Sequence, residues 1–156
     1  MTFRIIGVKM NIEKLIFSQK EGEGMADLLV RDLMHLGVVT CNVGVSICEV
    51  AQSMVDNAVH CVVVLDEAGE ACGVISDLDL TKFYGREIKS LTAEDVLEGN
   101  VIIVDPNAPI SAAMVIMLEK HIHHLVIMSE PPLHRPIGVL AASDVVKKMA
   151  ESCGIK

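Results

Sequence analysis

The sequence is 156 residues long and carries a formal net charge of −8, with 51% hydrophobic but only 3% aromatic residues. That length fits one compact domain, or two small halves that share a core. The negative charge excludes a nucleic acid polymer as partner, because binding one needs a basic surface and aromatic stacking platforms. No apolar run approaches the roughly 18 residues of a membrane-spanning helix. The apolar surface that so hydrophobic a chain leaves outside its own core is therefore expected between subunits.

The cysteines predict a reducing, cytoplasmic compartment. They are odd in number, lie mostly in apolar runs and include no CxxC pair, which excludes the usual zinc ribbon and thioredoxin-like motifs. The apolar stretches near the N-terminus are too short and broken for a secretory signal. The residues expected to be small members of a core are Cys41, Cys48, Cys61, Cys72 and Cys153.

Two sets of elements follow one another along the chain. Residues 1–24 precede them and are interpreted as an N-terminal arm or an over-extended start. The first set comprises a helix over 27–34, a strand over 37–40, a helix over 47–58, hairpin strands over 60–65 and 71–75 joined by the turn 67–70, and a helix from Asp77 or Leu78. The second set comprises a helix over 93–97 capped by Thr92 and Asp95, a strand over 101–104, a helix from Ile110, hairpin strands over 123–128 and 137–140, and a helix from Ser143 or Asp144.

The second set repeats the first in sequence as well as in order. Met54 and His60 recur 63 positions later as Met117 and His123. From Gly138 onward the offset becomes 65, because the proline-rich loop over 129–137 is two residues longer than its counterpart. Since insertions belong in surface loops, the repeat is intact and defines the fold.

One turn occurs twice, as GVISDLD from Gly73 to Asp79 and as GVLAASD from Gly138 to Asp144. Where a strand runs into a helix, free backbone N–H groups and the helix dipole favour an anion. An aspartate there can accept both vicinal hydroxyls of a ribose, and a serine can donate to the sugar or to a phosphate. The pattern therefore indicates two half-sites for a nucleotide.

The alternative for these turns is a helix cap, since Ser and Asp at a helix start satisfy free N–H groups without any ligand. The two roles are compatible. The second turn has Ala141 where the first has Ser76, so the first turn is the preferred ligand site. Lys82 and Lys147 follow the two aspartates and are expected on solvated helix faces, where one of them could reach a phosphate.

The order of elements, the repeat of about sixty residues and the doubled turn together resemble tandem cystathionine-β-synthase (CBS) domains, a pair of which is called a Bateman module. The resemblance covers residues 26–149. It implies an α+β fold of two pseudo-twofold-related β-α-β-β-α repeats, here over 25–88 and 89–156.

The resemblance also implies two clefts, each combining the aspartate of one repeat with a strand of the other. The apolar strand residues suit an adenine face, and backbone groups would read the edge of the base. The first cleft would hold Ser76, Asp79, Ile102, Ile103 and Val104, and the second would hold Val39, Thr40 and Asp144.

The same resemblance places His60, His123 and His124 where ligand phosphates would be met. A bound phosphate would raise the pKa of such a histidine. Cys61 stands where an arginine would bind more strongly, so the alternative is a half-buried histidine bonded to the backbone. Metal coordination by these histidines together with His121 is not expected. His121 ends a helix and His123 begins a strand, so their side chains need not converge on one ion.

No nucleophile beside a base and no carboxylate pair is found at useful spacing, so an enzyme is not expected. The leading hypothesis is a stand-alone, homodimeric regulatory module that requires no cofactor. It would bind AMP, ADP, ATP or S-adenosylmethionine between the repeats and signal to a partner protein by population shift. One alternative is a ligand-free dimerisation module using the helices over 50–58 and 113–120. A third hypothesis is a metal or redox sensor through Cys61, His123 and His124.

Overall fold

The computed structural model describes residues 28–131 and 133–154 and divides them between two similar halves. The elements in chain order are α1 (Val30–Leu33), β1 (His35–Leu36), β2 (Thr40–Asn42), α2 (Ile47–Asn57), β3 (Cys61–Leu65), β4 (Ala71–Ser76), α3 (Asp77–Thr81), α4 (Ala93–Val96), α5 (Ile110–Lys120), β5 (His124–Met128), β6 (Pro136–Ala141) and α6 (Ala142–Ser152). This mixed order confirms the predicted α+β fold of two repeats.

The long helices α2 and α5 begin and end at equivalent positions. Ser46 caps α2, accepting a hydrogen bond from the backbone N–H of Glu49, and Pro109 precedes α5. Both helices stop at a left-handed residue that is not glycine: Ala58 with φ 51° and His121 with φ 53°. That conformation turns the chain directly into the next strand, and Asn57 and Lys120 therefore mark the two helix ends.

Each half has a small sheet built on its hairpin. In the first half β2 pairs in parallel with β3, and β3 pairs antiparallel with β4. In the second half β5 pairs antiparallel with β6, and β6 pairs antiparallel with β1. Because β1 comes from the first half of the sequence, the second sheet is completed by the opposite repeat.

The lead-in helices are exchanged between the halves. Val30 of α1 is fully buried in the core formed by α5, β5 and β6, while Ala93 and Val96 of α4 are buried in the core formed by α2, β3 and β4. Burying a valine side chain stabilises the fold by about 1.5–3 kcal/mol. The exchange therefore ties each repeat to the core of the other.

Two glycines allow the lead-ins to cross. Gly138 lies beneath β1, and Gly73 lies beneath the chain that follows α4. A Cβ atom on Gly138 would stand 2.7 Å from the backbone oxygen of His35, and one on Gly73 would overlap the side chain of Leu97. The glycine that opens each repeated turn is thus required by close backbone approach.

Several local predictions differ from the structure. The strand over 37–40 lies instead at Thr40–Asn42, because Gly37 has φ 89° and breaks the extended chain. The strand over 101–104 is reduced to one bridge between Ile103 and Val126, since Pro106 soon ends any pairing. The first predicted helix is ordered as Val30–Leu33, and its residue 27 and the N-terminal arm over 1–24 lie outside the described residues.

The cysteines are only partly the core residues that the sequence predicts. Cys61 is buried, and Cys41 and Cys72 are half-buried, whereas Cys48 and Cys153 are exposed. The last two lie at solvent-facing positions of α2 and just beyond α6, where an apolar run does not imply burial. None of the helices formed by the described residues has the length and apolar character needed to cross a lipid bilayer.

The crossing makes a prediction for three glycines. Gly138→Ala should lower the free energy of unfolding by about 1–3 kcal/mol, because the new methyl group overlaps backbone that cannot move aside. Gly73→Ala should cost less, because the Leu97 side chain can rotate. Gly44→Ala is the control, since nothing lies within 4 Å of its Cβ position. Urea denaturation followed by circular dichroism measures all three, and equal stability of the Gly138 and Gly44 variants would contradict the crossing.

Candidate functional site

Asp79 closes the first repeated turn through its own hydrogen bonds. Its Oδ2 accepts the backbone N–H of Ser76 at 2.9 Å and the Ser76 hydroxyl at 2.6 Å. Its Oδ1 accepts from Lys82 Nζ at 2.9 Å, and the same ammonium contacts Glu98 at 2.9 Å. Burial raises the pKa of Asp79, but these hydrogen bonds outweigh it and hold the pKa below its usual value. The carboxylate is therefore ionised at neutral pH.

Asp144 occupies the same place in the second turn with a different set of partners. Its Oδ2 accepts the backbone N–H of Ala141 at 2.8 Å, without the hydroxyl that Ser76 supplies in the first turn. Its Oδ1 lies 2.7 Å from Nε2 of His35 in β1, and its side chain is only 12% exposed. The aspartate thus caps the helix in both turns, although the second helix begins at Ala142 rather than at the predicted Ser143 or Asp144. Each carboxylate also contacts a basic side chain.

The crossing lead-ins bring the opposite repeat to each aspartate. His35 belongs to the lead-in of the first repeat and contacts Asp144 of the second, while Glu98 follows α4 of the second repeat and meets Asp79 of the first through Lys82. His35 and Glu98 are themselves 63 positions apart and are therefore equivalent. The two sites are related by the internal repeat but use different chemistry.

The predicted base-contacting segment of the first cleft is an open sheet edge. The N–H of Val126 donates to the oxygen of Ile102, and the N–H of Val104 donates to the oxygen of Val126, each at 3.0 Å. The backbone groups of Ile103 consequently point away from β5. Its side chain is 51% exposed, while Val104 is buried. The segment begins four residues after Glu98, the residue that meets Asp79 through Lys82.

The second cleft repeats this edge. The oxygen of Val39 accepts the N–H of Val63 at 3.0 Å, and Thr40 pairs with Val63 at the outer strand of its sheet. Val39 is half-buried and Thr40 is exposed. These residues follow His35, the partner of Asp144, by four and five positions. In both halves the chain that contacts the aspartate leads directly into the open edge of the other repeat.

The three predicted phosphate contacts lie close enough to influence one another. Nδ1 of His60 contacts Oδ2 of Asp77 at 2.9 Å. This histidine is therefore bonded to a side chain, and not to the backbone as in the alternative prediction. His60 and His123 are exposed, and His124 is half-buried. Burial lowers the pKa of His124; Asp77 opposes that shift, and both His123 and His60 add to it. The histidines therefore form one cluster where the two hairpins meet.

Cys61 takes the place in the first repeat that His124 takes in the second. Burial, followed by the nearby charge of Asp77, raises its pKa to about 11. The thiol stays protonated at neutral pH and is a poor nucleophile or metal ligand. Within the described residues, no group of three or more His, Cys, Asp or Glu side chains is arranged to hold a metal ion.

A cavity of about 460 Å³ lies between α2 and α3, beside the histidine cluster and away from Asp79. Ala51 lies in its wall, at the position equivalent to Met114 of the second repeat. The cavity is lined by Ala51, Met54, Val55, Ala58, Val59, His60, Asp77 and Leu80. The predicted sugar-binding residue and the apolar cavity are therefore separate features of this repeat.

The sequence pattern missed the basic partners of both aspartates. Lys82 is exposed, as the sequence predicts, but its bridge between Asp79 and Glu98 is not evident from the sequence. No sequence pattern marks His35, because it belongs to no motif and its contact with Asp144 spans 109 positions of the sequence. Only the exchange of the lead-ins, which periodicity does not reveal, brings these residues together.

The CBS domain family matches the chain twice, over residues 30–86 and 93–151. The matched segments together cover most of the sequence and coincide with the two structural repeats. The chain therefore belongs to the CBS domain family and contains a pair of CBS domains.

Curated relatives differ widely in length. A homoserine O-acetyltransferase of Methanosalsum zhilinae is 30% identical over 128 residues, and an L-aspartate semialdehyde sulfurtransferase of Methanocaldococcus jannaschii is 23% identical over 117. The alignments include 82% and 75% of this chain but only 25% and 22% of those proteins. The chain thus spans about a quarter of their length. Hypoxic response protein 1 of Mycobacterium tuberculosis is 23% identical, with 85% of its length aligned.

Two solved structures share the fold over nearly their whole length. The CBS domain pair of protein MJ0100, solved in complex with 5′-methylthioadenosine and S-adenosyl-L-methionine, aligns with a TM-score of 0.71 at 22% identity, over 80% of this chain and 98% of that one. A CBS-domain-containing protein of Agrobacterium tumefaciens aligns with a TM-score of 0.70 at 28% identity, over 83% and 98%.

The histidine cluster predicts how stability depends on pH. The unfolded chain protonates His124 near its ordinary pKa of 6.5, whereas the folded chain resists protonation. The contribution of His124 is therefore complete above that pH and declines as the pH falls below it. Asp77 has a folded pKa below its usual 3.8, so its contribution is lost only at much lower pH.

Urea denaturation between pH 5.0 and 7.5 should therefore show stability falling toward the acid end by at most about 1.4 kcal/mol per pH unit from this residue. His124→Gln should flatten that dependence. His134→Asn, in the exposed hairpin loop, is the matched control and should keep the wild-type slope. An unchanged slope in the His124 variant would contradict this assignment.

Proposed function

We propose that the chain is a regulatory module that binds an adenosine-containing ligand between its two CBS domains. The observation that carries this proposal is the placement of Asp79 and Asp144. Each carboxylate lies at the end of a strand of one repeat, beside the chain that enters the open edge of the other. Asp79 is held ionised, the state needed to accept the two hydroxyls of a ribose.

The sheet edges supply complementary contacts for the base. The exposed side chain of Ile103 offers an apolar surface for an adenine face, and its outward backbone groups can pair with the edge of the base. Thr40 would serve the second cleft in the same way. Ser76 contributes through Asp79, because its hydroxyl proton is already donated to that carboxylate.

Phosphates, where the ligand has them, would meet the histidine cluster. His60 and His123 are exposed, so a phosphate can approach both without displacing core residues. A ligand without phosphate would leave the cluster free. We infer that the ligand is AMP, ADP, ATP, S-adenosylmethionine or a close relative, a choice supported by the 5′-methylthioadenosine and S-adenosyl-L-methionine held by the MJ0100 pair.

The proposed output is a change in packing between the repeats, passed to a protein partner. On this proposal the module performs no catalysis itself, requires no cofactor and works in the cytoplasm. The two enzymes that share the sequence are about four times longer than the shared region, so their catalytic activities are not transferred to this chain.

Calorimetry tests the ligand proposal. Titration with AMP, ADP, ATP, S-adenosylmethionine and 5′-methylthioadenosine should reveal at least one ligand, whose affinity Asp79→Asn and Asp144→Asn each lower about tenfold by removing charged acceptors. Asp95→Asn is the matched control. Asp95 closes the same kind of cap with Thr92, at 2.8 and 2.9 Å, at the start of a different helix.

The control separates capping from binding. All three substitutions weaken a helix cap, but only those at Asp79 and Asp144 should change affinity. Absence of binding across the panel would refute the proposal. Equal affinity losses in all three variants would assign the effect to folding.

A second function, dimerisation, is favoured by apolar side chains that are exposed at equivalent positions of the two repeats. Val55 on α2 and Leu118 on α5 are equivalent, and they are 75% and 46% exposed. Tyr84 and Met149 form a second equivalent pair, 95% and 51% exposed. A twofold partner could cover the pair on α2 and α5 in one isologous interface. We propose that the chain forms a homodimer through this helical face.

Light scattering tests the dimer. The wild type should elute with twice the chain mass at micromolar concentration, and Val55→Glu combined with Leu118→Glu should weaken association at least tenfold by burying two charges. Leu133→Glu, in the exposed hairpin loop, is the control for an added surface charge. A monomeric wild type, or an unaffected double variant, would exclude this interface.

A further inference from the structure

The two aspartates are already occupied by basic groups that the exchanged lead-ins hold in place. At Asp79, Lys82 contacts Oδ1 and is itself held by Glu98, which follows α4. At Asp144, His35 of β1 contacts Oδ1. Both contacts are at equivalent points of the repeat, and both connect the aspartate of one repeat to the lead-in of the other. A ligand that binds either carboxylate must displace these basic side chains or share the carboxylate with them.

At Asp79 the obstacle is the number of acceptor positions. A carboxylate offers about four. The backbone and the hydroxyl of Ser76 take two of these on Oδ2, and Lys82 takes a third on Oδ1. A ribose diol needs two positions, so one existing donor has to leave. The Ser76 bonds are local parts of the helix cap, whereas Lys82 is an exposed, flexible side chain. Lys82 is consequently the group that yields.

At Asp144 the obstacle is the burial of the carboxylate. The described structure gives Asp144 two donors, the Ala141 backbone and His35, which leaves two acceptor positions. The carboxylate is nevertheless only 12% exposed, while the His35 side chain is 73% exposed and free to swing outward. Moving His35 would uncover Oδ1 without disturbing the cap to Ala141.

We propose that His35 and the Lys82–Glu98 pair are latches, which compete with the ribose for Asp144 and Asp79 and are released when the ligand binds. This inference rests on the proposed adenosine site and adds its regulation. Because His35 and Glu98 belong to the crossing segments, release of the latches loosens β1 and the chain after α4. Occupancy of a cleft is thereby transmitted to the contact between the repeats.

Lys147 shows that the latch is specific. It is equivalent to Lys82, 65 positions later, and also follows its aspartate by three residues. Within the part of the chain that the structure describes, it makes no salt bridge to Asp144, whose Oδ1 is taken by His35. The same position in the two repeats thus provides a latch in one and an ordinary surface lysine in the other.

Adenosine is the probe, because it carries the ribose without phosphates. Each latch is measured with the other cleft silenced: Lys82→Met in an Asp144→Asn background, and His35→Ala in an Asp79→Asn background. Each should bind adenosine about 1.4- to fivefold more tightly than its background, which is the range expected for an exposed ion pair. Lys147→Met in the Asp144→Asn background is the control and should leave affinity unchanged.

Hydrogen exchange supplies the second readout. Adenosine should speed amide exchange at residue 37, whose N–H donates to Ile137 beside β1 at 2.9 Å. In the His35→Ala variant this amide should exchange faster before ligand is added and respond little to it.

Unchanged or weaker adenosine binding by the two latch variants would overturn the latch. The proposed function would then stand if the wild type still binds the nucleotide panel. Absence of binding in the wild type, in both backgrounds and in both latch variants would overturn the latch and the proposed site together.

Discussion

The exchange of the lead-in segments is the constraint on which the rest of the structure depends. Val30 is buried in the core of the second repeat, and Ala93 and Val96 are buried in the core of the first. Neither repeat could keep its hydrophobic core if the other were removed, since each would lose buried side chains and expose the surface beneath them. The pair is therefore a single folding unit although its sequence is a tandem repeat. The exchange requires glycine at positions 73 and 138, because a Cβ atom there would overlap the crossing chain.

The same exchange creates the candidate sites. An aspartate in the first turn of a helix would by itself be only a helix cap, as Asp95 is. Asp79 and Asp144 differ because the crossing chain carries Glu98 and His35 past them and then continues into an open sheet edge. The chain that passes an aspartate of one repeat thus enters a strand edge of the other repeat only a few residues later. α3 has only five residues and adds little dipole, so the side chains provide most of the electrostatics.

Sequence patterns predicted those features whose cause is local. The span of α2 follows from helical spacing, and the cap between Thr92 and Asp95 follows from the preference of those residues for helix starts. The prediction was wrong for Cys48, because an apolar run contains both faces of a helix. It was silent on His35, whose partner is 109 positions away. Periodicity indicates that a side chain will be buried, but it does not say against which repeat.

The divergence between the two turns has a different meaning in the structure than in the sequence. The serine at 76 was expected to favour the first site, yet its hydroxyl occupies a position on Asp79 that the alanine at 141 leaves open on Asp144. Asp79 is thus held by more bonds and Asp144 by fewer, but Asp144 is more deeply covered. On the proposed function, one site would restrict a ligand by competition for acceptor positions, and the other would do so by shielding. Two clefts built from one repeated turn therefore have a physical basis for different affinities, which would let one module respond over a wider range of ligand concentration than two identical sites could.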